Sequence, residues 1–285
     1  MTTDVRRLGG FVLGATAAVA VAIATAGIVV GLSGGLAPQP AAALVSALMC
    51  GLLLVLSAAM LRHEGVRLVA LGLPGSRRRW RELSAGFAVT AVMFAGVGGV
   101  QSAIVGADWQ FEGLAGIRAA LSALPLVGAM VCAEELLFRG VGLRYLRNAC
   151  GDRMAIALTA VAFGVYHLAG SGYWGIGAFF QFLMPCLGGV LFAWAAIRSN
   201  ALSLPIGLHL GGNWVQASVA GFHVGPADGA VDAVWRIPIT TSDVHVITAP
   251  DVAVRLPYLA ALALAAVVTW VLLTLERGER RMITT

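Results

Sequence analysis

Lysine is missing from this 285-residue chain, and charge of either sign is scarce: 12% of residues are charged, against about 25% in a soluble domain. Beside a composition that is 59% hydrophobic, that scarcity excludes a soluble globular domain. All 19 basic residues are arginine, and the net charge of +5 suggests nucleic acid only until their placement is read. They lie in short loops between apolar runs, where they act as topology signals, so no nucleic-acid partner is expected. Cysteine is thin as well. Cys50, Cys132, Cys150 and Cys186 offer neither a disulfide framework nor a zinc-type pair, and Cys132 reads as a small core residue. H-E-x-x-H is absent, so a metal reading has to rest on ligand chemistry and not on spacing. No internal repeat is visible.

What the chain has instead is long apolar runs. Spans are expected at 9–32, 42–61, 83–106, 119–143, 154–169, 175–197, 200–220 and 257–275, each near the ~20 residues that a bilayer core requires. The expected fold class is therefore all-α: a polytopic integral membrane helix bundle with about eight transmembrane helices, in contact with membrane lipids. Arg6 and Arg7 precede a run too long for a signal-peptide core, which reads as a membrane anchor. Pro125, Pro185 and Pro205 fall inside spans and should kink them.

Alternate loops divide by charge. The N-terminus, the 62–82 loop (Arg62, Arg67, Arg77, Arg78, Arg79, Arg81), the 144–153 loop (Arg144, Arg147, Arg153), Arg198 and the tail fall on one side. The other side holds Arg118, Arg236 and Arg255, together with Asp108, Glu112, Asp228, Asp232, Asp243 and Asp251. The positive-inside bias then gives a multi-pass protein of the cytoplasmic membrane with both termini cytoplasmic. The 62–82 segment reads either as an amphipathic stretch on the membrane surface or as a solvated loop. Residues 221–256 form one long external segment, whose β-branched stretch suggests a short hairpin. Three regions follow: 1–114, N-terminal helices with the Arg-rich loop; 115–220, a catalytic core; and 221–285, the external segment and last helix.

Within the apolar run LSALPLVGAMVCAEELLFRGVGL stand Glu134 and Glu135, with Arg139 one turn on. An ionised carboxylate in hydrocarbon costs roughly 2.5–3.5 kcal/mol or more, so two adjacent acids mark a functional site and require partners. Glu135 and Arg139 are four apart and share a helix face, which pairs one charge. Glu134 points about 100° away and stays free. Phe163 and His167 form F-x-x-x-H on the fifth expected span; His209 and Asn213 form H-x-x-x-N on the seventh. At ~1.5 Å per residue, Glu134 lies ~15 Å, His167 ~20 Å, His209 ~14 Å and Asn213 ~20 Å from the cytoplasmic helix ends. Three helices thus bring a carboxylate, two imidazoles and an amide to similar depth.

A carboxylate and a histidine can orient and deprotonate a water, and a second histidine with an Asn amide can donate to a developing oxyanion. Acyl hydrolysis with no serine or cysteine nucleophile is within reach of that group. The alternative is zinc: Glu134, His167 and His209 are a catalytic ligand type that leaves one position for water, with Glu135 as base.

The runs EELLFR, FGVYH and LGGVLFAWAAIRSNALSLPIGLHLGGN, in that order over about 115–220, resemble the CAAX-prenyl-protease and bacteriocin-processing (CPBP, or Abi) family of intramembrane proteases. The resemblance implies a membrane endopeptidase opening toward the cytoplasm and acting on a membrane-associated or lipidated protein or peptide. It implies Glu134 as the water-activating acid with His167, and His209 with Asn213 around the oxyanion or a metal. Members are named both as metalloproteases and as glutamate proteases, so both mechanisms stay open, and a prenylated substrate is not implied. Two rivals are a proton-coupled transporter, which the lack of inverted repeats disfavours, and a non-catalytic immunity or scaffold protein.

Overall fold

The computed structural model of the chain describes residues 3–32, 38–105, 109–169, 175–219, 234–236 and 252–283. It is all-α, as expected. The helices are α1 (Thr3–Leu32), α2 (Pro38–His63), α3 (Arg77–Val105), α4 (Gly113–Arg139), α5 (Val141–Leu168), α6 (Gly175–Ser199), α7 (Ser203–Trp214) and α8 (Val252–Ile283). Among the described residues, six helical stretches are long and apolar enough to cross a membrane: Thr3–Leu32, Ala41–His63, Arg77–Val100, Gly113–Leu168, Gly177–Ser199 and Leu256–Thr274. The chain is a multi-pass membrane protein.

The eight expected spans need correction in two places. The fourth of these stretches, 56 residues long, contains both α4 and α5, which meet at Gly140. The expected 144–153 loop is helical, because α5 begins at Val141; the break falls at Gly151, whose φ of 79° needs glycine. The expected span 200–220 is a 12-residue helix, α7, about 18 Å long, and the chain leaves it through a π-helical turn at Val215–Val219. Pro205 sits in the first turn of α7, where a missing N–H costs nothing, so it neither kinks nor opens the helix.

The short helix α7 is carried by its neighbour α3, its closest packing partner. Gly207 and Gly211 bracket His209 in a G-x-x-x-G spacing, which lets helix backbones approach closely. A Cβ at either position would run into the Leu83 or the Phe87 carbonyl oxygen of α3, and a Cβ on Gly86 of α3 would lie 2.7 Å from the Leu204 carbonyl oxygen. The start of α7 is pinned by a buried acid: Glu82 accepts a hydrogen bond from the Ser203 hydroxyl (2.5 Å) and pairs with Arg78 (3.0 Å) and Arg79 (2.8 Å). The backbone N–H groups of Leu202 and Ser203 donate to the Leu71 and Gly72 carbonyls, just past a 3-10 turn at Leu68–Leu71. The 62–82 segment is therefore built into the bundle rather than simply solvated. At the other end of α7, Trp214 Nε1 donates to the Ala120 carbonyl of α4 (2.7 Å).

The 221–256 segment contributes one described strand. β2 (Trp235–Arg236) pairs antiparallel with β1 (Gln110–Phe111), just before α4, and Val234 donates to the Ser218 carbonyl in the π-helical turn. The expected hairpin within 221–256 is thus replaced, for these two residues, by pairing with a strand over a hundred positions earlier. Residues 221–233 and 237–251 lie outside the described residues, and 252–256 belong to the start of α8.

Candidate active site

Four helices converge on the two glutamates. On α4, Arg139 Nη1 donates to Glu135 Oε1 at 3.1 Å, and both side chains are 0% exposed, so the expected pair is present. Glu134 is also buried, at 4% exposure. From α7, His209 reaches both acids: Nδ1 lies 2.9 Å from Glu135 Oε1 and Nε2 lies 3.5 Å from Glu134 Oε2. A carboxylate only accepts, so Nδ1 carries the proton and donates to Glu135. In the neutral ring Nε2 then holds a lone pair facing Glu134. A carboxylate fixing the tautomer of a histidine whose far nitrogen does proton chemistry is a recurrent arrangement in hydrolases.

His167 on α5 is set in the same way by its own helix. Its Nδ1 donates to the Phe163 carbonyl one turn back (2.9 Å), leaving Nε2 as an acceptor. Phe163 stands between the imidazoles, edge-on to His167 at 4.3 Å and to His209 at 5.6 Å. The Arg139 guanidinium lies over its ring, 4.2 Å from the centroid. Phe163 belongs to the F-x-x-x-H spacing and acts here as the wall joining the three charged or titratable groups. Asn213, one turn beyond His209, is half-buried, and its side chain makes no hydrogen bond with the described residues. Glu134 Oε2, Glu135 Oε2, Arg139 Nε and Arg139 Nη2 are buried and likewise make no hydrogen bond with described residues.

The contacts differ from the sequence expectation in how they pair these groups. Glu134 meets His209, not His167, because α7 enters beside α4 at the depth of the acids. His209 has each of its nitrogens turned to a carboxylate, so it does not share an oxyanion role with Asn213 in this arrangement. The zinc set is not assembled either. Each imidazole offers an Nε2 lone pair, which suits a metal, but no three His, Cys, Asp or Glu side chains among the described residues stand where they could hold an ion together. Two participants were not legible in the sequence. Phe192 of α6 stacks on His209, with centroids 4.6 Å apart and planes at 19°, and Glu82 anchors the helix that carries His209. An apolar residue in an apolar span and an acid beside an arginine run give no signal by themselves.

A buried acid–imidazole–acid chain inside a multi-pass membrane protein is a grouping able to take up and return a proton. Residues 115–215 match the model of a family described as Rce1-like, the type II CAAX prenyl endopeptidase Rce1-like proteins. That segment holds Glu134, Glu135, Arg139, His167, His209 and Asn213, and the resemblance read from the sequence is borne out over it. The description names an endopeptidase. No curated protein and no solved structure matches the chain.

Proposed function

We propose that the protein is an intramembrane endopeptidase of the glutamate type, hydrolysing a peptide bond of a membrane-associated or lipidated protein or peptide. The observation that carries the reading is the buried Glu134 carboxylate facing Nε2 of a histidine that Glu135 holds by Nδ1, within the segment that matches a protease family.

In this mechanism a water beside Glu134 and His209 Nε2 loses a proton to that pair and attacks the scissile carbonyl. The carbonyl oxygen gains negative charge, which the Asn213 amide stabilises by donating hydrogen bonds. The proton held by the pair then passes to the departing amine as the C–N bond breaks. His167 presents its Nε2 from α5 and assists with the water. Glu135 and Arg139 do not touch substrate: Glu135 fixes the tautomer and direction of His209, and Arg139 balances the charge of Glu135. We place the core at 115–220 and the protein in the cytoplasmic membrane with both termini inside, on the arginine asymmetry of its loops, so that the site opens toward the cytoplasm.

The test uses protein reconstituted in proteoliposomes with an S-farnesylated CAAX reporter peptide, the substrate type that the family description suggests. Wild type cleaves it and Glu134→Gln does not, and a chelator leaves the wild-type rate in place. Cleavage by Glu134→Gln at the wild-type rate refutes the acid's role. Loss of activity on chelation, restored by zinc alone, replaces the glutamate mechanism with a metal one.

A further inference from the structure

We infer that Phe192 is a positioning residue for this reaction, acting through His209; the inference rests on the reading above. Among the described residues helix α6 makes no hydrogen bond or ion pair with the acids, yet it supplies the ring on which the catalytic imidazole stacks. The Phe192 ring lies nearly parallel to His209, with centroids 4.6 Å apart. The same ring has the Arg139 guanidinium 5.4 Å from its centroid. Arg139 holds Glu135 at 3.1 Å, and Glu135 holds His209 Nδ1 at 2.9 Å. Contacts therefore close a circuit, Arg139 to Glu135 to His209 to Phe192 and back to Arg139, and Phe192 is its only apolar member.

Two physical consequences follow. The Nδ1–H bond to Glu135 is a single tether and leaves the imidazole free to rock about it. A flip of the ring, which would turn carbon instead of nitrogen toward Glu135 and Glu134, has to sweep its plane through 90°. A parallel ring at stacking distance blocks that sweep on one side, and the Phe163 edge at 5.6 Å and 86° stands at right angles to it. The electron-rich face of Phe192 also favours positive charge on its neighbour, which is the form His209 takes when it holds the water's proton. Both effects act on the chemical step and neither acts on substrate binding.

The experiment has two arms on the full chain in nanodiscs. In the first, isotope-labelled histidine is followed by NMR. The chain has five histidines, and His209 is assigned by its loss in His209→Gln. Wild-type His209 ring protons are shifted upfield by the stacked ring. Phe192→Leu and Phe192→Met keep the apolar bulk but lose that shift and show ring exchange, whereas Phe192→Tyr keeps it. In the second arm, on the farnesylated CAAX reporter, the Leu and Met variants lose about tenfold in kcat, the scale of one aromatic contact, with KM little changed. Phe192→Tyr recovers most of the rate. Unchanged His209 resonances in the Leu and Met variants overturn the inference, as does a Tyr variant as slow as Leu. If wild type leaves the reporter intact, the functional reading fails on that substrate, and the ring resonances alone decide whether Phe192 holds His209.

Discussion

Replacing Glu135 with Gln should unfold this protein far more easily, and replacing Arg139 as well should undo most of the damage. Glu135 Oε1 accepts from Arg139 Nη1 at 3.1 Å and from His209 Nδ1 at 2.9 Å, with the Glu135 and Arg139 side chains fully enclosed. A glutamine keeps an oxygen to accept with but removes the charge, leaving the Arg139 cation buried without its paired anion. Breaking a buried pair from one side costs about 3–5 kcal/mol. The Phe163 face beneath the guanidinium returns at most about 2 kcal/mol of cation–π attraction, and it is already present in wild type. At roughly 2–4 °C per kcal/mol for a chain of this size, Tm falls by about 6–20 °C. In the double variant Glu135→Gln/Arg139→Met no charge is stranded, and the thioether packs among Phe138, Phe163 and Phe192, the three rings that now surround the guanidinium. Exchanging a buried pair for apolar side chains is close to neutral, so the melt returns most of the way to wild type. Thermal unfolding in detergent, followed through the seven tryptophans, gives the answer. Activity stays lost in both variants, since His209 has lost its carboxylate, and this separates the site from the scaffold. A double variant that melts as low as Glu135→Gln, or a single variant that melts like wild type, would refute the reasoning.

Gly211→Ala should destabilise by about 1–3 kcal/mol through overpacking, because its Cβ meets the Phe87 carbonyl and Thr90 Oγ1 of α3; Gly128→Ala, whose Cβ meets nothing within 4 Å, should be neutral or stabilising in the same melts. Asn213→Ala should cost about 10²–10³-fold in rate on the reporter peptide with little change in melting, the usual loss for one oxyanion donor; a wild-type rate removes Asn213 from the mechanism. For topology, an impermeant thiol reagent on intact cells carrying Ser242→Cys or Ser76→Cys should label only the first, and labelling of the second overturns the assignment of the 62–82 loop to the cytoplasm.

The sequence showed what depends on one helix and hid what depends on two. E-E-x-x-x-R placed Glu135 and Arg139 a turn apart, so their pairing could be read directly. His167 was equally legible as a site residue, and its Nδ1 bond to Phe163 is also a contact one turn away. The partner of Glu134 is different in kind. Whether His167 or His209 reaches it depends on how far α7 slides along α3 and α4, and that is set by Gly207 and Gly211 against the α3 carbonyls, by Ser203 on Glu82 and by Trp214 on Ala120. None of these contacts has a sequence spacing to betray it. The expected span at 200–220 is a shorter α-helix for a related reason: composition reports that a stretch is apolar, but not that it starts at Ser203 against a buried acid and turns π-helical after Trp214. Glu82 was hidden by its setting, because an acid beside four arginines looks solvated until Ser203, 121 positions away, closes over it.

The central claim is that Glu134 drives peptide-bond cleavage in the membrane. The most direct measurement compares the protein N-termini of membranes from cells making wild type with those from cells making Glu134→Gln at equal abundance. Gln is nearly isosteric with Glu and easier to bury, so the variant accumulates in the membrane as wild type does. The account predicts a set of new N-termini in membrane-associated proteins that appear with wild type and vanish with Glu134→Gln. The same set of N-termini in both membranes would contradict it.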